Sequence, residues 1–166
     1  MTDDWVPSDE ESDAWLEEWA AVDREAARYL AERVPGVEDV PDDRAVWLDE
    51  LVDTISPSEL PGDDEVESLA AVMALQHVDW LGLALGVVRR GPGSDLDAAQ
   101  VQADVVALDE VDGEIEDPDG HLAVMAAALD HLAPRWRALG VLDDQERLTE
   151  RGVWALPRAL HRSWTD

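Results

Sequence analysis

The chain has no cysteine, no lysine and no phenylalanine, and a single tyrosine among its 166 residues. Without cysteine there are no disulfides, no thiolate zinc sites and no cysteine nucleophiles. Asparagine is also missing and isoleucine occurs twice, a bias that a GC-rich genome imposes without any selection on charge. No run of about 18 to 20 uncharged apolar residues is available to cross a membrane. The opening MTDDWVPSDEESD is acidic where a signal peptide is basic and then apolar, so the sequence reads as a cytoplasmic protein. Catalytic signatures are lacking too: there is no G-x-S-x-G, no P-loop, no G-x-G-x-x-G and no HExxH-like spacing.

What is present is acid. Forty Asp and Glu face twelve Arg, for a formal charge of −28, while 46% of residues are apolar and eight are Trp. That apolar fraction builds a core and separates the chain from disordered acidic tails. The charge is unevenly placed. Residues 134–166 hold six Arg against five acids, a net +1, which leaves −29 on the first 133. An acidic body is thus joined to a nearly neutral, arginine-bearing end. Such a body favours a basic partner or a salt-rich setting, and the Trp and Leu content argues against the salt-rich explanation.

Periodicity predicts a mainly α fold, a helical bundle. Residues 1–11 read as a disordered acidic N-terminus and 12–119 as an acidic helical body. Its first helix is predicted over 12–34, with Ser12 as N-cap and Pro35-Gly36 as stop. Trp15, Leu16, Trp19, Val22, Ala26, Leu30 and Val34 share one face, expected to be core. A second helix is predicted from Asp43 to Ile55 with Val46, Trp47, Leu51 and Ile55 inward, before a turn region at Pro57 to Pro61. Glu65 to Arg89, nearly apolar from Leu69 to Val88, reads as one central helix, in which Gly82 and Gly86 either allow a close helix approach or simply weaken the last turns. Asp95 to Leu108 is a further helix and Asp109 to Gly120 a loop. His121 opens another helix, which Pro134 ends, kinks or restarts before the Gly140 stop. Trp47, Trp136 and Trp164 are expected in the core with Trp15 and Trp19. Trp5 stands apart, flanked by acids like an acidic-aromatic interaction segment.

Residues 120–166 read as a C-terminal unit, expected to form one compact domain with the body. There LGVL, a short Asp-Asp turn and RLTERG, with Thr149 as N-cap, look like the wing of a winged helix with two very short strands. The longer run W-R-A-L-G-V-L, then R-L-T-E-R-G-V-W-A-L-P-R-A-L and Trp164, resembles the C-terminal module of a group of uncharacterised actinobacterial proteins. The match covers about residues 120–164. The GPGS turn with GSDLDAAQVQADV resembles a fainter earlier copy of a wing and helix. The resemblance implies a winged-helix-like fold and carries no activity and no catalytic residues.

Within that unit Val153, Leu156, Leu160 and Trp164 line one face of the last helix, and Arg151, Arg158 and Arg162 the other. On such a polar face Arg158 has little to contribute to stability. The Arg stripe, with His161, Trp154, Arg135 and Arg137, is the candidate partner-binding set, able to meet phosphates or carboxylates. Pairing with the chain's own acids is the plainer role for the stripe. DNA binding is opposed by the acid excess, and the helix before the wing is rich in Ala, with Arg135 and Arg137 only at its end. The acidic loop fails as an EF-hand in both registers, because Leu108 or Ile115 falls at position 1. His121 and His131 lie about 80° and about 15 Å apart on one helix, too far to share a ligand.

These readings converge on a non-enzymatic acidic module that binds a basic protein partner as a regulator or adaptor, with no cofactor. A DNA mimic, with acid rows drawn from residues 1–67, is one version. Two alternatives stand beside it. One is a winged-helix DNA-binding transcriptional regulator using the C-terminal unit. The other is an enzyme or metal binder, which requires a cleft gathering His77, His121 or His131 with acids. The Trp-rich first helix can also close a homodimer.

Overall fold

Three acids open the first helix. α1 spans Asp9–Arg33, and Asp9, Glu10 and Glu11 fill its first turn, where the positive end of the helix dipole favours carboxylates. Ser12 therefore lies inside the helix and does not cap it, and Asp9 to Glu11 are helical where a disordered start was expected. The computed structural model describes residues 9–55, 66–108 and 115–165, so Trp5, the Pro57 to Pro61 turn and most of the acidic loop after Leu108 lie outside the described residues. α1 stops at Gly36, whose φ of 79° is open to glycine at little cost.

α2 (Asp42–Ile55) buries Leu48, Leu51 and Ile55, while Val46, expected inward, is exposed. Packing against the last helix rotates α2 so that Leu48 takes the place assigned to Val46, and Trp47 sits half-buried at the edge. The Trp47 indole donates to the Leu139 carbonyl at 2.9 Å.

The long apolar segment is two helices, α3 (Val66–Ala74) and α4 (His77–Arg90). The break is made by Gln76, in extended backbone, whose N–H donates to the Asp79 carboxylate at 2.8 Å and so closes a new helix start. α4 is buried along most of its length. Its glycines face α5 (Ala98–Val106), so of the two roles open to them in the sequence the close approach is the one found. A Cβ on Gly82 would stand 2.5 Å from Val105 Cγ2 and 2.8 Å from the Val105 backbone. Since backbone cannot yield as a side chain does, Gly82→Ala is expected to destabilise by about 1–3 kcal/mol. Thermal or urea unfolding checks this; an unchanged midpoint would mean that α4 and α5 do not touch here.

α5 begins at Ala98, capped by Asp97 accepting from Gln100 N at 3.1 Å, because the residues before it are extended. Gly93 N donates to the Leu148 carbonyl at 2.7 Å, and Leu148 N to the Ser94 carbonyl at 2.9 Å. Asp143 N donates to the Arg147 carbonyl at 2.9 Å across a turn in which Glu146 has a φ of 61°. Isolated antiparallel bridges join Asp95 to Arg147 and Leu142 to Leu148. The GPGS turn thus pairs with residues 147–148, across the boundary placed at residue 120.

α6 (Pro118–Ala138) starts inside the segment expected to be loop, with Asp117 as cap and Pro118 in the first turn, where a missing N–H costs nothing. It continues past Pro134 without ending or restarting there, and the carbonyl that Pro134 cannot pair belongs to Asp130, which is exposed to water. α7 (Glu150–Thr165) follows the Thr149 cap, whose hydroxyl accepts from Gly152 N at 3.0 Å. Among the described residues these seven helices share one hydrophobic core running from Ala26 to Leu160, with Trp136 fully buried in it. No described helix is long and apolar enough to cross a membrane.

Candidate interaction surface

The C-terminal arginines are held by their own chain. Arg162 Nε donates to Asp49 Oδ1 at 2.7 Å. Arg158 donates to the carbonyls of Asp39, Gly36 and Trp154 at 3.3, 3.2 and 2.9 Å, so it closes the turn after α1. Its guanidinium also lies over the Trp154 ring at 4.6 Å, with Arg44 at 4.8 Å. Burial lowers the Arg158 pKa below its ordinary value, Asp39 opposes the shift and Arg44 adds to it. Arg151 stands over Trp47 at 5.2 Å. Arg135 lies 3.7 Å from Asp53, Arg137 3.9 Å from Glu146, and His161 4.0 Å from Glu38.

The seven residues expected to bind a partner therefore cross-link α7 and α6 to the turn after α1, to α2 and to the turn at residues 143–146. Arg158 is not idle on its polar face. Truncation to Ala is expected to cost about 1–2 kcal/mol through lost charged hydrogen bonds and ring contact. A Tm equal to that of the parent protein would assign those contacts no net value.

Among the described residues, four of the exposed large apolar side chains cluster toward the other end of the chain, on α1. α1 gives the core only its C-terminal half, Ala26, Ala27 and Leu30. Trp15, Leu16 and Trp19 are 60%, 56% and 53% exposed, and Val22 is exposed beside them. The two indoles stack at 5.9 Å with a 21° tilt. The sequence placed this face in the core, but α1 has fully buried side chains only from Ala26 onward, and before it His77 touches Trp19 and Asp23 on the flank. Burying one such side chain is worth about 1.5–3 kcal/mol. Eight acids and one Arg occupy positions 9–25 around it. Glu11, Glu18, Glu25 and Glu32 recur every seven residues, a spacing that keeps them on one side of the helix.

The histidines are dispersed. His77 Nε2 meets Asp23 at 2.6 Å, and its ring lies 5.4 Å from Trp19 and 5.4 Å from Trp164. His121 Nε2 meets the buried Asp79 at 2.7 Å beside a cavity of about 440 Å³. The Gln102 amide donates to Pro118 O at 2.9 Å and meets His121 Nδ1 at 3.0 Å. A carboxylate only accepts, so in this arrangement Nε2 donates to Asp79 and Nδ1 accepts from the Gln102 amide. This bond joins residues 42 apart and has no sequence signature. Among the described residues no three His, Asp or Glu are grouped to hold a metal ion.

Comparison of the chain with models of known protein families, with curated proteins and with solved structures finds no match in any of the three.

Proposed function

We propose that the protein is a non-enzymatic acidic module that binds a basic protein partner, acting as a regulator or adaptor. The observation that carries the reading is the exposed ladder Trp15, Leu16, Trp19 and Val22 set among acids on α1. Exposed Trp surrounded by charge supplies what interfaces use, large apolar contact at the centre and charge at the rim. The field of a −28 chain steers a cationic partner toward that face and repels a second copy. Carboxylates standing in for phosphates, as in a DNA mimic, are one form of this reading.

A winged-helix-like arrangement of α4 to α7 is supported by the pairing of residues 93–95 and 142–148 between the helices. Its use as a DNA reader finds less support, because Arg135 and Arg137 sit beside Asp53 and Glu146 at the end of α6.

Affinity capture from host lysate at about 50 mM and about 500 mM salt tests the reading, since screening over that range weakens charge-steered complexes. The captured protein is then identified, purified and titrated against the parent chain and Trp15→Glu. A basic protein, lost at high salt and bound at least tenfold more weakly by the variant, is expected. Direct recovery of DNA without a bridging protein would contradict the proposal.

A further inference from the structure

The tryptophan ladder does not end at Trp19. Its ring meets the edge of His77 at 5.4 Å, and His77 lies 5.4 Å from Trp164, so one row of rings crosses from α1 over α4 to α7. Beside the row is a hollow of about 180 Å³, whose walls include Trp19, Val72, Met73, Trp80 and Trp164. The hollow is open to solvent, with Asp23, His77 and Ser163 at its polar edge, and its volume is that of a single side chain. Met73 is 65% exposed there. Asp23 also lines it, and α1 carries eight acids over residues 9–25.

We infer that this groove between α1, α3 and α7 docks a cationic amphipathic helix, one apolar side chain of which enters the hollow while its basic flank faces the acids of α1. The inference rests on the proposed function and names the chemistry of the partner. Trp15, Trp19 and Val22 stand at i, i+4 and i+7, covering about 10 Å of axis, the spacing at which a helical ligand presents its own anchors. Charge excludes the competing occupants. A second copy at −28, a nucleic acid and an anionic membrane all meet repulsion at this rim.

The test titrates the full chain against two fluorescent peptides of about 18 residues, long enough for five helical turns. Both are made of Lys and Leu; one places Leu on a single helical face, and the other is scrambled. Trp15→Glu and Met73→Glu remove apolar surface while adding negative charge, so simple charge attraction predicts tighter binding and groove docking predicts weaker. Val46→Glu adds the same charge on α2, away from the groove. Circular dichroism confirms that each variant is folded.

The facial peptide is expected to bind at least tenfold more tightly than the scrambled one. Trp15→Glu and Met73→Glu should each weaken it about tenfold, and Val46→Glu should not. Equal affinity for both peptides, no binding of either, or an equal loss with Val46→Glu would overturn the inference. So would two other results. Tighter binding by Trp5→Ala would make the chain's own N-terminus the occupant, and self-association growing with salt would make it a second copy. The proposed function is tested separately, by lysate capture, and fails there if DNA is recovered directly or no basic protein is bound.

Discussion

Trp136→Ala is expected to destabilise the protein by about 3–5 kcal/mol, the range for removing a large aromatic from a closed core. Trp136 is fully buried near the end of α6. Its indole N–H donates to the Thr54 hydroxyl of α2 at 2.9 Å, and that hydroxyl donates in turn to the Leu51 carbonyl at 2.6 Å. Its carbonyl accepts from Val141 N and Leu142 N at 2.9 and 3.2 Å, which starts the turn toward residue 148. The substitution therefore opens a cavity and leaves the buried Thr54 oxygen without its donor. Trp136→Phe keeps most of the volume and loses only the hydrogen bond, so its cost should fall to about 1–2 kcal/mol. Urea unfolding of the pair separates the two terms. Equal losses for both variants would mean that the hydrogen bond, not the volume, holds α2 to α6.

The second large effect is expected at Asp104. This carboxylate is buried on α5 and accepts from Arg90 Nη1 at 2.6 Å and from Arg89 Nη2. Among the described residues Arg90 Nε and Nη2 are buried with no hydrogen-bond partner, so Asp104 is what compensates that guanidinium. Asp104→Ala strands the charge and should cost about 3–5 kcal/mol. Gly86 is part of the same unit, since a Cβ there would overlap the Asp104 carboxylate. Gly86→Ala should therefore be damaging in the parent protein and nearly silent once Asp104 is Ala, a non-additivity of more than about 1 kcal/mol. Strictly additive losses would separate the glycine from the ion pair.

Much of this architecture is legible in the sequence where local chemistry acts alone. Gly36 and Gly140 mark chain reversals at positive φ, Thr149 caps α7, and Leu156 and Leu160 fall on its buried side. The four-residue spacing of Gly82 and Gly86 fits either a close approach or a weakened helix end, and the structure resolves it as the approach of α4 to α5. The errors share a cause. Periodicity shows which face of a helix is apolar and not whether anything covers it, so Trp15 and Trp19 look the same in sequence whether they are buried or exposed. Continuous apolarity hides the break between α3 and α4, although Gln76 with Asp79 three residues later is a capping pair that marks it. The role of Arg158 depends on carbonyls more than 110 residues away in the chain, which no local pattern reveals.

Footprinting the tryptophans by hydroxyl-radical oxidation, with and without the captured basic partner, tests the central claim most directly. The account predicts that Trp15 and Trp19 lose reactivity in the complex while Trp154, between Arg44 and Arg158, keeps its rate. Protection of Trp154 with Trp15 and Trp19 unchanged would contradict it and move the interface to the arginine-bearing C-terminal end.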